Sequence, residues 1–435
     1  MDNLEGALNQ LLTRYLPVAS GYSSDSRHIR PGNIFIALPG TQNNGDEFVP
    51  QALQKGAMVA VVTRGYKFPE DVTAAVKNSY SDRLVECDDL AAAHRYLAKH
   101  FRSRFKGIVI GVGGSAGKTT TKDFIYTLLA EKFRVCRTAR SQNGELGIPK
   151  TLEKLTSAEQ IAVIEIGIDA PGDMARHVAV VQPDIAVLTS IGEEHLQLLQ
   201  NVENVFREEK ILFEATLARG GVCFAPDSDL WLATLGGVAG VTLVDEWKKS
   251  DAISLTSWVA LRNVGLAVAV ARHLGLDDIE IGRGLKCLTL PEGRGEERRI
   301  RADLLVIADH YNANPMSVKA ALAHASGLAA AQRLPLRLVL GDMLDLGAWT
   351  AAAHEGLVAD IIAAKPTTLW LVGPEMSKLH DRFSGVVEKL RRFPSAKDGI
   401  GEISELMATP GVLLLKGSRG MGLECLMNFE GVGLA

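Results

Sequence analysis

The sequence predicts an α/β protein built on open, largely parallel sheets, and three observations predict it. Short apolar runs bounded by glycine and proline alternate with stretches of helical periodicity along most of the chain. One such run, Ile108 to Val112, passes into a glycine-rich turn and then Lys118-Thr119-Thr120, the strand, turn and helix start that cradle nucleotide phosphates. The chain has 435 residues, 47% of them hydrophobic, enough for about three separate cores at roughly 100–200 residues each.

Residues 1–104 open with a short helix-like stretch. Asn33 to Leu38 and Ala57 to Val62 follow as strands, and Leu90 to Arg104 reads as a helix. Residues 105–295 place strands at Ile108–Val112, Ile161–Ile166 and Ile185–Leu188 between helical patterns such as Lys122–Lys132 and Val202–Ala218, the alternation of a parallel sheet. Residues 296–435 repeat it with strands at Leu304–Ala308, Leu336–Leu340, Leu369–Val372 and Val412–Leu415. Ligands of such sheets sit beyond the carboxyl ends of the strands.

A net charge of −4, spread without long blocks of one sign, gives no nucleic-acid surface and no polybasic anchor, so small anionic molecules are the expected partners. The five cysteines lie far apart with no Cys-x-x-Cys pair and read as core residues in a reducing compartment. The start Met-Asp-Asn-Leu-Glu lacks a signal-peptide pattern, and no apolar run reaches the roughly 18 residues of a membrane span. A cytoplasmic protein without membrane insertion is the expectation.

The phosphate-binding segment is Gly114-Ser115-Ala116-Gly117-Lys118-Thr119-Thr120. Backbone N–H groups close around phosphate oxygens, Lys118 reaches the outer phosphates and Thr119 can ligate magnesium. The general P-loop spacing is not kept, because the earlier glycine would fall on Val112. Glu165 lies at the end of the apolar strand Ile161–Ile166, where a carboxylate is costly unless bound to a cation or paired with a lysine. His195 lies in the turn after Ile185–Leu188, a ligand position in a parallel sheet, although a lone turn histidine is commonly solvated. Lys210, alone on a helix, would be a surface charge.

Taken together, these segments resemble the Mur ligases, whose central domain runs Gly-Lys-Thr-Thr, a strand ending Glu-x-Gly, Asn-Ile-Gly-x-x-His-Leu, and x-x-x-Lys-x-x-Leu-Phe. The chain has Lys118-Thr119-Thr120, Glu165-Ile166-Gly167, Ser190-Ile191-Gly192-Glu193-Glu194-His195-Leu196 and Lys210-Ile211-Leu212-Phe213. The resemblance implies a three-domain Mur ligase architecture, with a central P-loop ATPase-like parallel sheet and a C-terminal Rossmann-like α/β domain. It implies ATP and two magnesium ions, with Thr119 and Glu165 holding one, His195 the other, and a carbamylated Lys210 helping to place the second.

In the last third, Asp309-His310-Tyr311-Asn312-Ala313-Asn314-Pro315 and Lys416-Gly417-Ser418-Arg419 resemble the branch that adds D-alanyl-D-alanine to a UDP-linked muramoyl peptide. By that resemblance Asp309, Asn312, Asn314, Asn263 and the hinge residue Arg294 belong to the ATP side. Lys416, Ser418 and Arg419 belong to the incoming dipeptide. Ser24, Asp25, Ser26 and Arg27 would hold the UDP end, Asn143 the peptide side, and the enzyme would be a monomer. Read without the resemblance, Asn312 to Pro315 is only a turn and Arg294 a linker charge.

The chain departs from the pattern in two places. Between Ala225 and Asn263 it is short, and only Asn263 remains of Gly-x-His-Asn-x-x-Asn. Gly144 and Glu145 stand where the acceptor segment has asparagines. Two alternatives follow: a divergent Mur-type ligase joining another carboxylate and amine, and an inactive nucleotide-binding scaffold.

Overall fold

The computed structural model describes residues 10–40, 43–248 and 257–427, with residues 6 and 255. The first five residues of the sequence, and most of the opening helix-like stretch, lie outside them.

Three sheets follow one another along the chain. The first is parallel and lies in chain order: β1 (Gly21–Ser23), β2 (Asn33–Ile36), β3 (Val59–Thr63) and β4 (Leu84–Cys87). Asp89 then caps α1 (Leu90–Arg104), its carboxylate accepting the Ala92 N–H.

The second sheet is wholly parallel. It contains β5 (Ile108–Gly113), followed by α2 (Lys118–Leu129), then β6 (Val135–Arg137), β7 (Ile161–Glu165), α3 (Asp173–Val181), β8 (Ile185–Leu188), α4 (Val202–Ala218), β9 (Val222–Pro226) and β10 (Val241–Val244). The spatial order is β10-β9-β8-β5-β7-β6. β5 therefore has β7 on one side and β8 on the other, and the crevice at its carboxyl end is where such sheets bind ligands. Two helices, α5 (Trp258–His273) and α6 (Asp278–Lys286), pack on α2 and complete a buried layer of aliphatic side chains. β9 and β10 occupy part of the stretch that the sequence reading left without strands; β9 is a short buried run and β10 a short, partly exposed one, and neither alternates clearly.

The third sheet is β11 (Glu296–Arg301), β12 (Leu304–Asp309), β13 (Leu336–Gly341), β14 (Thr368–Val372), β15 (Lys389–Phe393) and β16 (Gly411–Lys416). Its order is β11-β12-β16-β13-β14-β15, with only the β11–β12 pair antiparallel. The helix α7 (Pro315–Gln332) starts under a capping box made by Asn314 and Ser317. The register pairs Asp309 with Lys416 at the carboxyl ends of β12 and β16, so adjacent strands deliver an acid and a base to the same point.

Arg102 ties the first domain to the second. It is buried on α1, and donates from Nε to Val181 O at 2.8 Å and from Nη2 to Gln182 O at 2.7 Å, at the end of α3. Asp184 lies 3.2 Å away. Arg102→Ala strips one buried and one half-buried carbonyl of their donors and should cost about 2 kcal/mol, read as a lower urea midpoint at unchanged slope. An unchanged midpoint would show that the clamp is dispensable.

Candidate active site

β5 hands the chain to the loop Gly114–Gly117, whose shape only glycine permits at two points. Gly114 has φ +111°, and a Cβ there would lie 2.5 Å from Thr189 Oγ1 and 2.8 Å from the Thr189 backbone nitrogen. Gly117 has φ +90°, and its Cβ would meet the Asn263 amide at 3.0 Å. The exit of β8 clamps the loop: Ser115 N–H donates to Ser190 O at 2.7 Å, and Ala116 N–H to Ser190 Oγ at 3.0 Å. Gly117 offers no side-chain cap to α2, so the first-turn N–H groups and the positive end of the helix are left for an anion.

Lys118 is buried and bent back within the loop. Its ammonium donates to Gly114 O at 2.6 Å and to both Glu194 oxygens at 3.0 and 3.2 Å. Burial pulls its pKa down, but Glu194, Glu209 and Glu165 outweigh that and hold it above the ordinary lysine value. Burial likewise pushes Glu194 up, while Lys118 and His195 bring it below the usual carboxylate range. His195, with φ +50°, keeps Nε2 3.6 Å from Glu194 and 3.5 Å from Asp169. Burial disfavours its imidazolium, but Glu194 raises its pKa overall.

Glu165, at the end of β7, is 1% exposed, yet its oxygens are only partly satisfied. Oε1 accepts from Thr119 Oγ1 at 2.9 Å and from Asn143 Nδ2 at 2.8 Å. Oε2 has no hydrogen-bond partner and faces Lys122 Nζ at 3.3 Å. The pairing of Glu165 with a lysine is thus observed, with Lys122 as the partner. A hydroxyl and a carboxylate beside free helix-start N–H groups form the oxygen-rich donor set that suits magnesium on a nucleotide phosphate.

The third domain closes the other side. A cleft of about 150 Å³ lies between Gly117 and Thr120, the start of α5 at Trp258 and Asn263, and Arg294, Asp309, Asn312 and Asn314. Asn263 Oδ1 is buried there without a partner. Lys416 is also in this cleft, 3.1 Å from Asp309 Oδ2, with Nζ donating to Asn312 O at 2.5 Å. Burial lowers its pKa despite Asp309. The structure therefore joins Lys416 to the residues expected on the ATP side. Ser418 is buried, its Oγ accepting the Leu344 N–H at 2.9 Å, while Asn314 spends its side-chain oxygen capping α7 at Ser317.

Two elements of the third domain touch the loop carrying His195. Met316 lies against Gly192, where a Cβ would stand 3.0 Å from its sulfur, and Gly347, at φ +57°, lies against Gln197. Tyr311 bridges the same boundary. Arg294 stacks on its ring at 4.1 Å, Arg419 at 5.0 Å, and Arg294 Nη2 donates to Ser141 Oγ at 3.0 Å. Ser141 Oγ in turn lies 3.1 Å from Thr119 Oγ1.

In the first domain, Asp25 caps the turn Ser26–His28 and pairs with Arg27 at 2.7 Å, a bond that holds its carboxyl down at about 2. Ser26 Oγ is turned inward onto Gln51 at 2.6 Å. Ser24 N–H reaches Glu153 of the second domain at 2.8 Å. Lys210, by contrast, is not brought to the phosphate loop: its Nζ pairs with Glu214 at 2.9 Å on the outer side of α4. The sequence reading also missed Lys122, Glu194, Glu209, Ser141 and Tyr311. A glutamate directly before His195 was the one local signal for Glu194.

The match to known proteins covers all three domains. Family models described as the Mur ligase catalytic, middle and glutamate ligase domains match residues 19–102, 112–252 and 293–419. The chain belongs to the Mur ligase family. Similar Mur ligases include the UDP-N-acetylmuramoyl-tripeptide–D-alanyl-D-alanine ligases of Treponema pallidum, 28% identical over 93% of this chain and 92% of that one, and of Bacillus subtilis, 28% identical over 94% and 92%. The crystal structure of MurF from Acinetobacter baumannii superposes with a TM-score of 0.75 at 25% identity, covering 93% of this chain and 92% of that one. MurF from Thermotoga maritima, solved with ADP, shares the Mur ligase fold at a TM-score of 0.75 and 22% identity, over 95% and 97%.

Gly117→Ala should weaken nucleotide binding at least about tenfold, about 1.4 kcal/mol, by straining the loop; calorimetry with an ATP analogue on the folded variant checks this. A second expectation concerns Glu209, whose carboxyl burial pushes from 4.5 up to about 8, opposed by Lys118. An acid that holds its proton more tightly when folded stabilises the fold most fully below its unfolded value, and that contribution is lost as pH rises through about 8. The melting temperature of ligand-free protein should fall across that window, and Glu209→Gln should flatten the fall.

Proposed function

We propose that this Mur ligase joins D-alanyl-D-alanine to a UDP-N-acetylmuramoyl-tripeptide at the expense of ATP, as a cytoplasmic monomer. Its domains would run 1–104 for the UDP-linked substrate, 105–295 for ATP and 296–435 for closure and the incoming dipeptide. The observation that carries the reading is the meeting of the phosphate loop, through Gly117 and Thr120, with Asn263, Arg294 and the Asp309–Lys416 pair of the third domain around one cleft. The relatives named for this reaction support the choice of substrates.

The acceptor carboxylate attacks the γ-phosphate, ADP leaves, and the acyl phosphate is then opened by the dipeptide amine through a tetrahedral intermediate. Lys118 turns from Glu194 to the outer phosphates and offsets charge there, the electrostatic task of phosphoryl transfer. Thr119 and Glu165 would hold one magnesium ion and His195 a second; bound magnesium polarises the γ-phosphate. Asn143 donates to Glu165 at 2.8 Å and orients it; on the acceptor side it would contact the peptide. The third domain, seated on Gly192 and Gln197, excludes water that would hydrolyse the acyl phosphate.

One observation favours a changed acceptor. Glu145, in place of an asparagine, makes an ion pair with Arg95 of the first domain beside the segment carrying Asn143. A ligase for a different carboxylate would use that altered wall.

Phosphate release and product mass with ATP, magnesium, the muramoyl tripeptide and D-alanyl-D-alanine test the assignment. A pentapeptide product requiring every component is expected, abolished by chelation of magnesium and reduced at least about 100-fold in Lys118→Ala. Product only from another acceptor or amine would replace the substrate assignment. Lys416→Ala should lower kcat/KM by more than about tenfold, since it leaves Asp309 unpaired in the cleft; unchanged kinetics would remove Lys416 from the site.

A further inference from the structure

The helix α4 turns two successive carboxylates inward and the next residue outward. Glu208 Oε1 accepts the Met174 N–H at 2.9 Å, and Glu209 Oε2 accepts the Gly114 N–H at 2.9 Å. Glu209 shares its stripe with Val205, Leu212, Phe213 and Thr216, all buried, at the spacings of one helical face. Lys210 is one step further round, about 100° away, and its side chain is 39% exposed against Glu214. Bringing Lys210 to the phosphate loop would require turning α4 by one residue and lifting Leu212 out of the core.

Leu212-Phe213 gives the same register independently. In the family segment two residues separate the lysine from Leu-Phe; here Ile211 alone separates Lys210 from Leu212, and the residue at the family spacing is Glu209. Its second oxygen, Oε1, is buried with no hydrogen-bond partner, at the loop that carries Lys118. Gly113 lets the loop come down on the carboxylate, since a Cβ there would stand 2.7 Å from Glu209 Oε2.

We propose that the side-chain carboxylate of Glu209 takes the place that the resemblance gives to a carbamate on Lys210. Lys210 stays an unmodified surface ammonium. Glu209 supplies a side-chain carboxyl oxygen at the phosphate end, which would give up its proton to a cation bound there, where the second magnesium ion would need an oxygen ligand. No carbon dioxide is consumed in preparing the site, so the enzyme is competent without bicarbonate. The proposal deepens the ligase reading and shares its ATP and magnesium, but not its choice of acceptor or amine.

The test uses the full-length chain in carbon dioxide-depleted buffer, with and without labelled bicarbonate. Manganese binding to the complex with a non-hydrolysable ATP analogue is measured by electron paramagnetic resonance beside turnover. Wild type should turn over equally in both buffers and show no carbamate carbon by NMR. Glu209→Gln keeps an oxygen for the Gly114 N–H and removes the ionisable carboxyl, so it should bind the second manganese at least about tenfold more weakly, at a melting temperature no lower than that of wild type. Lys210→Ala should bind manganese as wild type does. Glu209→Lys should regain the second ion only with bicarbonate, together with a carbamate signal. A carbamate on Lys210 in wild type, bicarbonate-dependent turnover, or weakened manganese binding in Lys210→Ala with none in Glu209→Gln would overturn the proposal. If no acceptor gives product while the manganese results hold, the substrate assignment fails and this one stands.

Discussion

A single ammonium, Lys118, is buried with carboxylates from three different elements around it: Glu165 at the end of β7, Glu194 beside His195, and Glu209 on α4. The excess of negative charge in a dry pocket is the constraint on which the rest of the centre depends. Lys118 bends back onto Glu194, Lys122 faces Glu165, and burial favours a proton on Glu209. Carboxylates gathered in a buried pocket are costly unless a cation or a proton offsets each of them.

The same constraint explains the neighbouring elements. The phosphate loop has to bring its backbone against Thr189 and Ser190, hence glycine at 114 and at 117. The loop after β6 supplies Asn143 to Glu165 and Ser141 to Thr119, and it meets Arg294 and Tyr311 of the following domain. Asp309 and Lys416 satisfy each other across adjacent strands, placing a buried ion pair at the cleft without a free charge.

What could be read from the sequence followed the range of the forces involved. The strand, glycines, Lys118 and Thr119 act within one short segment, and the alternation of apolar strands with helices is equally local, so both were legible. Glu208 and Glu209 were not. Arg207-Glu208-Glu209-Lys210 looks like a solvated charged face, and only the packing of Val205, Leu212 and Thr216 shows which of the four points inward. Asn314 read as a nucleotide contact, while its oxygen is engaged by the cap of α7, a local turn signal overshadowed by the motif around it. Tyr311 gains its surroundings from Arg294, Arg419 and Ser141, which lie far from one another in the chain.

Gly347 and Met316 brace the His195 loop at two points, one beyond the histidine and one before it. The loop is thereby wedged from the third domain on both flanks of the histidine. The position of a residue in the second domain is thus written partly in the sequence of the third, and a change at 316 or 347 would reach His195 without touching its own loop.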